Sequence, residues 1–302
     1  MQTIGMAGAA LLGAGVALDL LSQRTLWGNA ATHITSADQD DEALDQRRWI
    51  ALPGLGRQSG KFISEQARGF IPGIIDYANY ASRGISSKAI GTALAAYYAR
   101  HYGAGGNMRQ NVLVHSMGLP TFLMGVEWCL TQGIDVPVVD TLLAFSSPLH
   151  AKHTFMEDRV RLVKRIPYPG GAISKFGVEF FQRHEREKFR LSALGHSILG
   201  ALRVAYRDCP PALWSSQVRT IAHTDQYNPT QFSGVITPNT RIFHFGDEAD
   251  QTVNVVSARE GIADLATSLG ASISLIDVPG DGHANIAGPK TRQYLGSLFA
   301  EH

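Results

Sequence analysis

Residues 111–118 read Asn-Val-Leu-Val-His-Ser-Met-Gly, and this stretch constrains the fold more than any other. An apolar run of strand length stops abruptly, and a helix-compatible run follows over 119–130. A continuous apolar run of this kind marks a strand covered on both faces, as in a parallel sheet. The pattern repeats. Strands are expected at 48–52, 73–80, 138–145, 240–246 and 271–278, separated by helix-compatible segments such as 87–102. Gly103-Ala104-Gly105-Gly106 breaks the chain between that helix and the next strand. Alternating strands and helices predict an α/β chain with a doubly wound, mostly parallel sheet.

The sharp turn at His115-Ser116-Met117-Gly118 has the strand–turn–helix context of a nucleophile elbow, which lifts a Ser hydroxyl above the sheet. Such a turn needs small neighbours. Gly118 is one, but Val114 stands two residues before Ser116, so the motif is V-x-S-x-G. The plain alternative is a core strand entering a helix through a Ser cap. Two later stretches bear on the choice. The strand at 240–246 leads into Asp247-Glu248-Ala249-Asp250, and the strand at 271–278 into Pro279-Gly280-Asp281-Gly282-His283. A Ser, an acid and a His thus follow strand C-terminal ends in that order, where open α/β sheets place their sites. The chain resembles the α/β-hydrolase-fold serine hydrolases, esterase- or lipase-like, over roughly residues 47–302.

The resemblance implies a Ser-His-Asp triad of Ser116, His283 and Asp250. Ser attacks, His takes its proton, and the acid holds the imidazole in one tautomer. Asp250 stands one residue further from Gly246 than the family's usual spacing, so Asp247 and Glu248 stay open as rivals. Asp277 and Asp281 lie too near His283 along the backbone to be preferred. His115 reads as packing beside the elbow, and His244 as a core or sheet-face residue. The strand at 48–52 ends in Pro53-Gly54-Leu55-Gly56, where the family commonly has His-Gly. Backbone N–H groups of Leu55 and Met117 are the expected oxyanion hole. A Ser at the elbow argues against the family's Asp-nucleophile epoxide and haloalkane chemistry.

The expected activity is cleavage of a small-molecule or lipid-like carboxylic ester through an acyl-enzyme. Thioesterase, amidase, acyltransferase, cofactor-free peroxidase and non-catalytic ligand binding stay open, because the fold hosts them all. No cofactor is implied. The scattered His residues and two Cys, Cys129 and Cys209, give no metal-ligand spacing and no disulfide framework. A net charge of +1 gives no argument for nucleic acid.

The expected organisation is an apolar segment at 1–24, a polar linker at 25–46, a core at 47–147 and 236–302, and an inserted helical cap at 148–235. Residues 1–21 read as an anchor, a leader or a packed helix. No basic stretch precedes the apolar run, and Asp19 interrupts it. Cytoplasmic and membrane-associated locations both stay open, and the sequence sets no oligomeric state. Within the cap, residues 151–190 carry ten Lys/Arg and five acids, with six aromatics among them. An amphipathic cap with a solvated basic face is the plainer reading, and a lid meeting an anionic surface or acyl chain the sharper one.

Overall fold

The computed structural model describes residues 31–36, 47–55, 57–81, 84–102, 109–155, 211–283 and 285–300. The apolar segment at 1–24 and most of the cap, 156–210, lie outside the described residues. Among those described, no helix is long and apolar enough to cross a membrane.

Among the described residues, seven strands form one sheet: β1 His33–Thr35, β2 Arg48–Leu52, β3 Ile74–Asn79, β4 Arg109–His115, β5 Val138–Phe145, β6 Arg241–Gly246 and β7 Ser272–Asp277. Their order is β1-β3-β2-β4-β5-β6-β7. All neighbours are parallel except β1, which runs antiparallel to β3. The fold class is therefore the expected mostly parallel α/β sheet.

The described α-helices are α1 Lys61–Ala67, α2 Ser87–His101, α3 Gly118–Thr131, α4 Pro211–His223, α5 Val255–Leu269 and α6 Pro289–Ala300. They cover both faces. Ile50, Leu52, Val112, Val114, Leu142 and Ile242 point into one core, shared with α2, α3, α4 and α5. Trp49, Ala51, Leu113, Leu143, Phe243 and Phe245 point into the other, shared with α1 and α6. The period-2 alternation of side chains splits one continuous apolar run between two layers, which is why these strands carry no polar face. Local chemistry starts and stops the helices. Ser86 accepts a hydrogen bond from Ala89 N–H to cap α2, Asn254 does the same for α5 from Ser257 N–H, and Gly270 ends α5 in the left-handed region at φ 69°.

One finding departs from the sequence reading. The polar linker expected at 25–46 contains β1, three residues on the sheet edge. It is pinned by side chains: Asn79 Nδ2 donates to Thr35 Oγ1 at 2.6 Å, and Ala81 N–H to Thr32 Oγ1 at 3.0 Å. So short an edge strand leaves no hydrophobic period to read. Residues 211–235 pack closely on the core. Pro211 opens α4, where its fixed φ suits a first turn, and α4 buries Leu213, Trp214, Val218, Ile221 and Ala222.

Two fully buried imidazoles make this core acid-sensitive. His244 lies mid-β6, and His153 packs where a Cβ on Gly261 of α5 would meet its ring at 2.2 Å. Burial, then the charge of Arg259, pushes His244 down to about 4, and burial, then His150 and Lys152, does the same for His153. Below the ordinary histidine range the unfolded chain takes up protons that the folded chain refuses until about pH 4. Their stabilisation is therefore complete at neutral pH and drains as pH falls between those limits, by roughly 3 kcal/mol per imidazole. Urea unfolding at pH 7.5 and 4.5 should show the loss, and His244→Leu should shrink it. An unchanged pH slope in that variant would remove His244 from the account.

Candidate active site

The site is assembled at the C-terminal ends of β2, β4, β6 and β7. Ser116 follows β4 and takes a left-handed backbone, φ 51°, where non-glycine residues seldom sit. Its N–H donates to Phe145 O at 2.8 Å, so the turn is tied to β5. Strain of this kind is stored where surrounding structure over-determines it.

The close packing that imposes the turn is visible at two glycines. A Cβ on Gly118 would lie 2.3 Å from Leu52 O and 3.2 Å from Val114 Cβ. A Cβ on Gly54 would lie 2.6 Å from Ser116 Cβ and 3.0 Å from His115 O. The Val in the V-x-S-x-G motif is accommodated because the residue facing it is glycine. Only one side of that contact has to be small.

Asp250 follows β6 and His283 follows β7. Their side chains meet, His283 Nδ1 to Asp250 Oδ2 at 2.6 Å. The carboxylate is nearly inaccessible, at 1% exposure. Its other oxygen, Oδ1, accepts from Thr252 N–H at 2.7 Å and Val253 N–H at 3.2 Å. Burial alone would raise the Asp250 carboxyl. The hydrogen bond and charge of His283 and the two backbone donors outweigh it and hold the group below its usual range. A carboxylate so held fixes the imidazole with Nδ1 protonated, leaving Nε2 to accept a proton.

The rival acids are occupied elsewhere. Asp247 Oδ2 accepts from Gly280 and Gly282 N–H, both at 2.9 Å, and so braces the loop that carries His283. The exposed Glu248 faces Arg259 at 3.8 Å. Asp281 accepts from Thr291 N–H and Oγ1 at 2.7 and 2.8 Å, at the start of α6. Asp277 pairs with Arg259.

Leu55, Ser116 and Met117 line one pocket of about 20 Å³, together with Pro148, Thr154, Val218, Ile221, Thr252 and Val253. Its walls are almost wholly apolar, and a space that size holds about one water. Met117 stands at the N-terminus of α3, where helical N–H groups lack intrahelical partners. Among the described residues, no group of three or more His, Cys, Asp or Glu side chains could hold a metal ion.

This architecture has solved counterparts. A carboxylesterase of the ammonia-oxidizing thaumarchaeon Nitrososphaera gargenis superposes with a TM-score of 0.55 at 9% identity, over 89% of this chain and 93% of that one. MenH from S. aureus gives 0.54 at 9% identity, over 90% and 97%. The type II thioesterase BorB of the borrelidin biosynthetic cluster gives 0.51 at 17% identity, over 89% and 97%. The chain has the α/β-hydrolase fold. No protein-family model and no curated protein matches the sequence.

Two features of the candidate site escaped sequence reading. His115, expected only to pack beside the elbow, also ties the Ser116 turn to the His283 loop. Its Nε2 lies 3.1 Å from the His283 carbonyl, and since a carbonyl only accepts, Nε2 carries the proton. The two rings meet edge-to-face at 5.0 Å. Burial, then the neighbouring His283, pushes His115 down to about 3, so it stays neutral through the working pH range. The second feature is Gln217 of α4, whose contact with the Gly54 loop spans 163 residues of sequence. No local pattern marks either contact.

Proposed function

We propose that this α/β-hydrolase is a serine hydrolase that cleaves a carboxylic ester through an acyl-enzyme. The observation that carries the reading is the 2.6 Å Asp250–His283 pair, tethered through His115 to a Ser in a left-handed elbow. Ser116 Oγ attacks the ester carbonyl while His283 Nε2 takes its proton. The Leu55 and Met117 N–H groups stabilise the negative charge that develops on the carbonyl oxygen. Asp250 stabilises the imidazolium without taking its proton. As the tetrahedral intermediate collapses, the C–O bond to the alcohol breaks, and His283 returns the proton to the departing oxygen. Water, deprotonated by the same imidazole, then attacks the acyl-serine and releases the acid.

Labelling with a fluorophosphonate probe tests this. Wild type should label, while Ser116→Ala and His283→Ala should not. A folded wild type that stays unlabelled would sink the catalytic reading in favour of ligand binding. If labelling succeeds, a matched panel of esters, thioesters and amides of increasing chain length identifies the acyl substrate.

A further inference from the structure

The oxyanion loop after β2 is held from outside by α4. Gln217 of that helix is fully buried, and its Nε2 donates to two carbonyls of the loop, Gly54 O at 3.3 Å and Arg57 O at 3.0 Å. On the loop's other side, the absence of a Cβ at Gly54 lets the backbone press against Ser116. The same helix turns Val218 and Ile221 to the cavity shared by Ser116 and Leu55.

We infer that Gln217 is a positioning residue that aims the Leu55 N–H at the substrate oxyanion. The inference rests on the serine-hydrolase reading. Gly54 C=O and Leu55 N–H are the two ends of one peptide unit. That unit is planar and trans, so its C=O and N–H point in opposite directions. Fixing the carbonyl on Gln217 therefore fixes the direction of the N–H. A hydrogen bond accepted at the carbonyl also polarises the unit and strengthens its N–H as a donor. The second bond, at Arg57 O, stops the loop from pivoting about the first. Tyr80 supports the loop one residue earlier, its hydroxyl donating to Pro53 O at 3.4 Å, but that carbonyl belongs to a different peptide unit and leaves Leu55 free to turn. Pre-set direction matters because an oxyanion donor contributes only where it already points at the developing charge.

The test compares wild type, Gln217→Met and Gln217→Glu, with Tyr80→Phe as control. Met keeps the length and removes the donors, and Glu, neutral when so buried, keeps the shape but offers one O–H donor where Gln offers two N–H donors to the two carbonyls. Steady-state hydrolysis of p-nitrophenyl acetate is measured beside inhibition by an aryl trifluoromethyl ketone, which forms an oxyanion on the enzyme. For both Gln217 variants kcat should fall roughly 10- to 100-fold, short of the loss on deleting a donor outright. KM should stay within about twofold, and the ketone's Ki should rise in step with the loss of kcat/KM. Tyr80→Phe should leave the ketone's Ki near wild type. Melting temperatures establish that each variant is folded at assay temperature. Should Gln217→Met fail to fold, the isosteric Glu variant carries the comparison. Unchanged kcat in a folded Gln217 variant, or lost activity with the ketone's Ki unmoved, overturns the inference while wild type stays active. A wild type that neither labels nor turns over overturns the hydrolase reading itself.

Discussion

Asp250→Asn is expected to lower kcat by about four orders of magnitude while the chain stays folded. The reason lies in which atoms the carboxylate serves. Oδ1 accepts from the Thr252 and Val253 N–H groups, and Oδ2 faces His283 Nδ1 at 2.6 Å. An Asn would keep its oxygen on the two backbone donors, because its amide group cannot accept from them. The NH2 would then face Nδ1 and force the proton onto Nε2, the wrong tautomer for a base. The imidazolium would also lose its counter-charge. Asp247→Asn should behave differently. Its carboxylate braces the Gly280–Gly282 turn, so the variant should lose stability more than kcat. Glu248→Gln, at an exposed carboxylate, should do little. Measuring kcat and melting temperature for the three variants decides the assignment. Near-normal kcat in Asp250→Asn, with collapse in Asp247→Asn, would move the acid role to Asp247.

Adding one methyl group at either site glycine should also have large effects, of two different kinds. In Gly118→Ala the new Cβ would lie 2.3 Å from the Leu52 carbonyl oxygen. Leu52 ends a central strand paired to Val114 of β4, so that oxygen cannot step aside without distorting the sheet. Overpacking against fixed backbone should cost about 1–3 kcal/mol or more, read as a lowered melting temperature. In Gly54→Ala the new Cβ meets Ser116 Cβ at 2.6 Å. Either Ser116 or the Leu55 peptide must shift, and a displacement of order 1 Å at reacting atoms costs about 100-fold in rate. This variant should therefore lose kcat out of proportion to stability. A Gly118→Ala chain that melts with wild type, or a Gly54→Ala chain of normal kcat, would show that the elbow is looser than its geometry implies.

Much of this protein could be read from residue order. A strand buried on both faces must be a short unbroken apolar run, so β2, β4 and β5 are legible without coordinates. A strand-to-helix turn needs a small residue and a sharp break in periodicity, so Ser116 and Gly118 are legible too. His283 is legible from its place after the last strand. What stayed closed has one physical cause. Asp247, Glu248 and Asp250 share a single turn, and a reading along the chain cannot tell which carboxylate the His283 loop will meet from across β7. Val114 departs from the motif, yet its fit depends on a glycine facing it in space. The β1 strand is held by side-chain bonds to Asn79 and Ala81, which leave no period in three residues. His115 and Gln217 act through carbonyls 168 and 163 residues away. Local preference writes elements into sequence because their contacts lie a few residues apart. The direction of an N–H or an imidazole in the candidate site is set by contacts between distant segments, and those exist only once the sheet has brought its loops together.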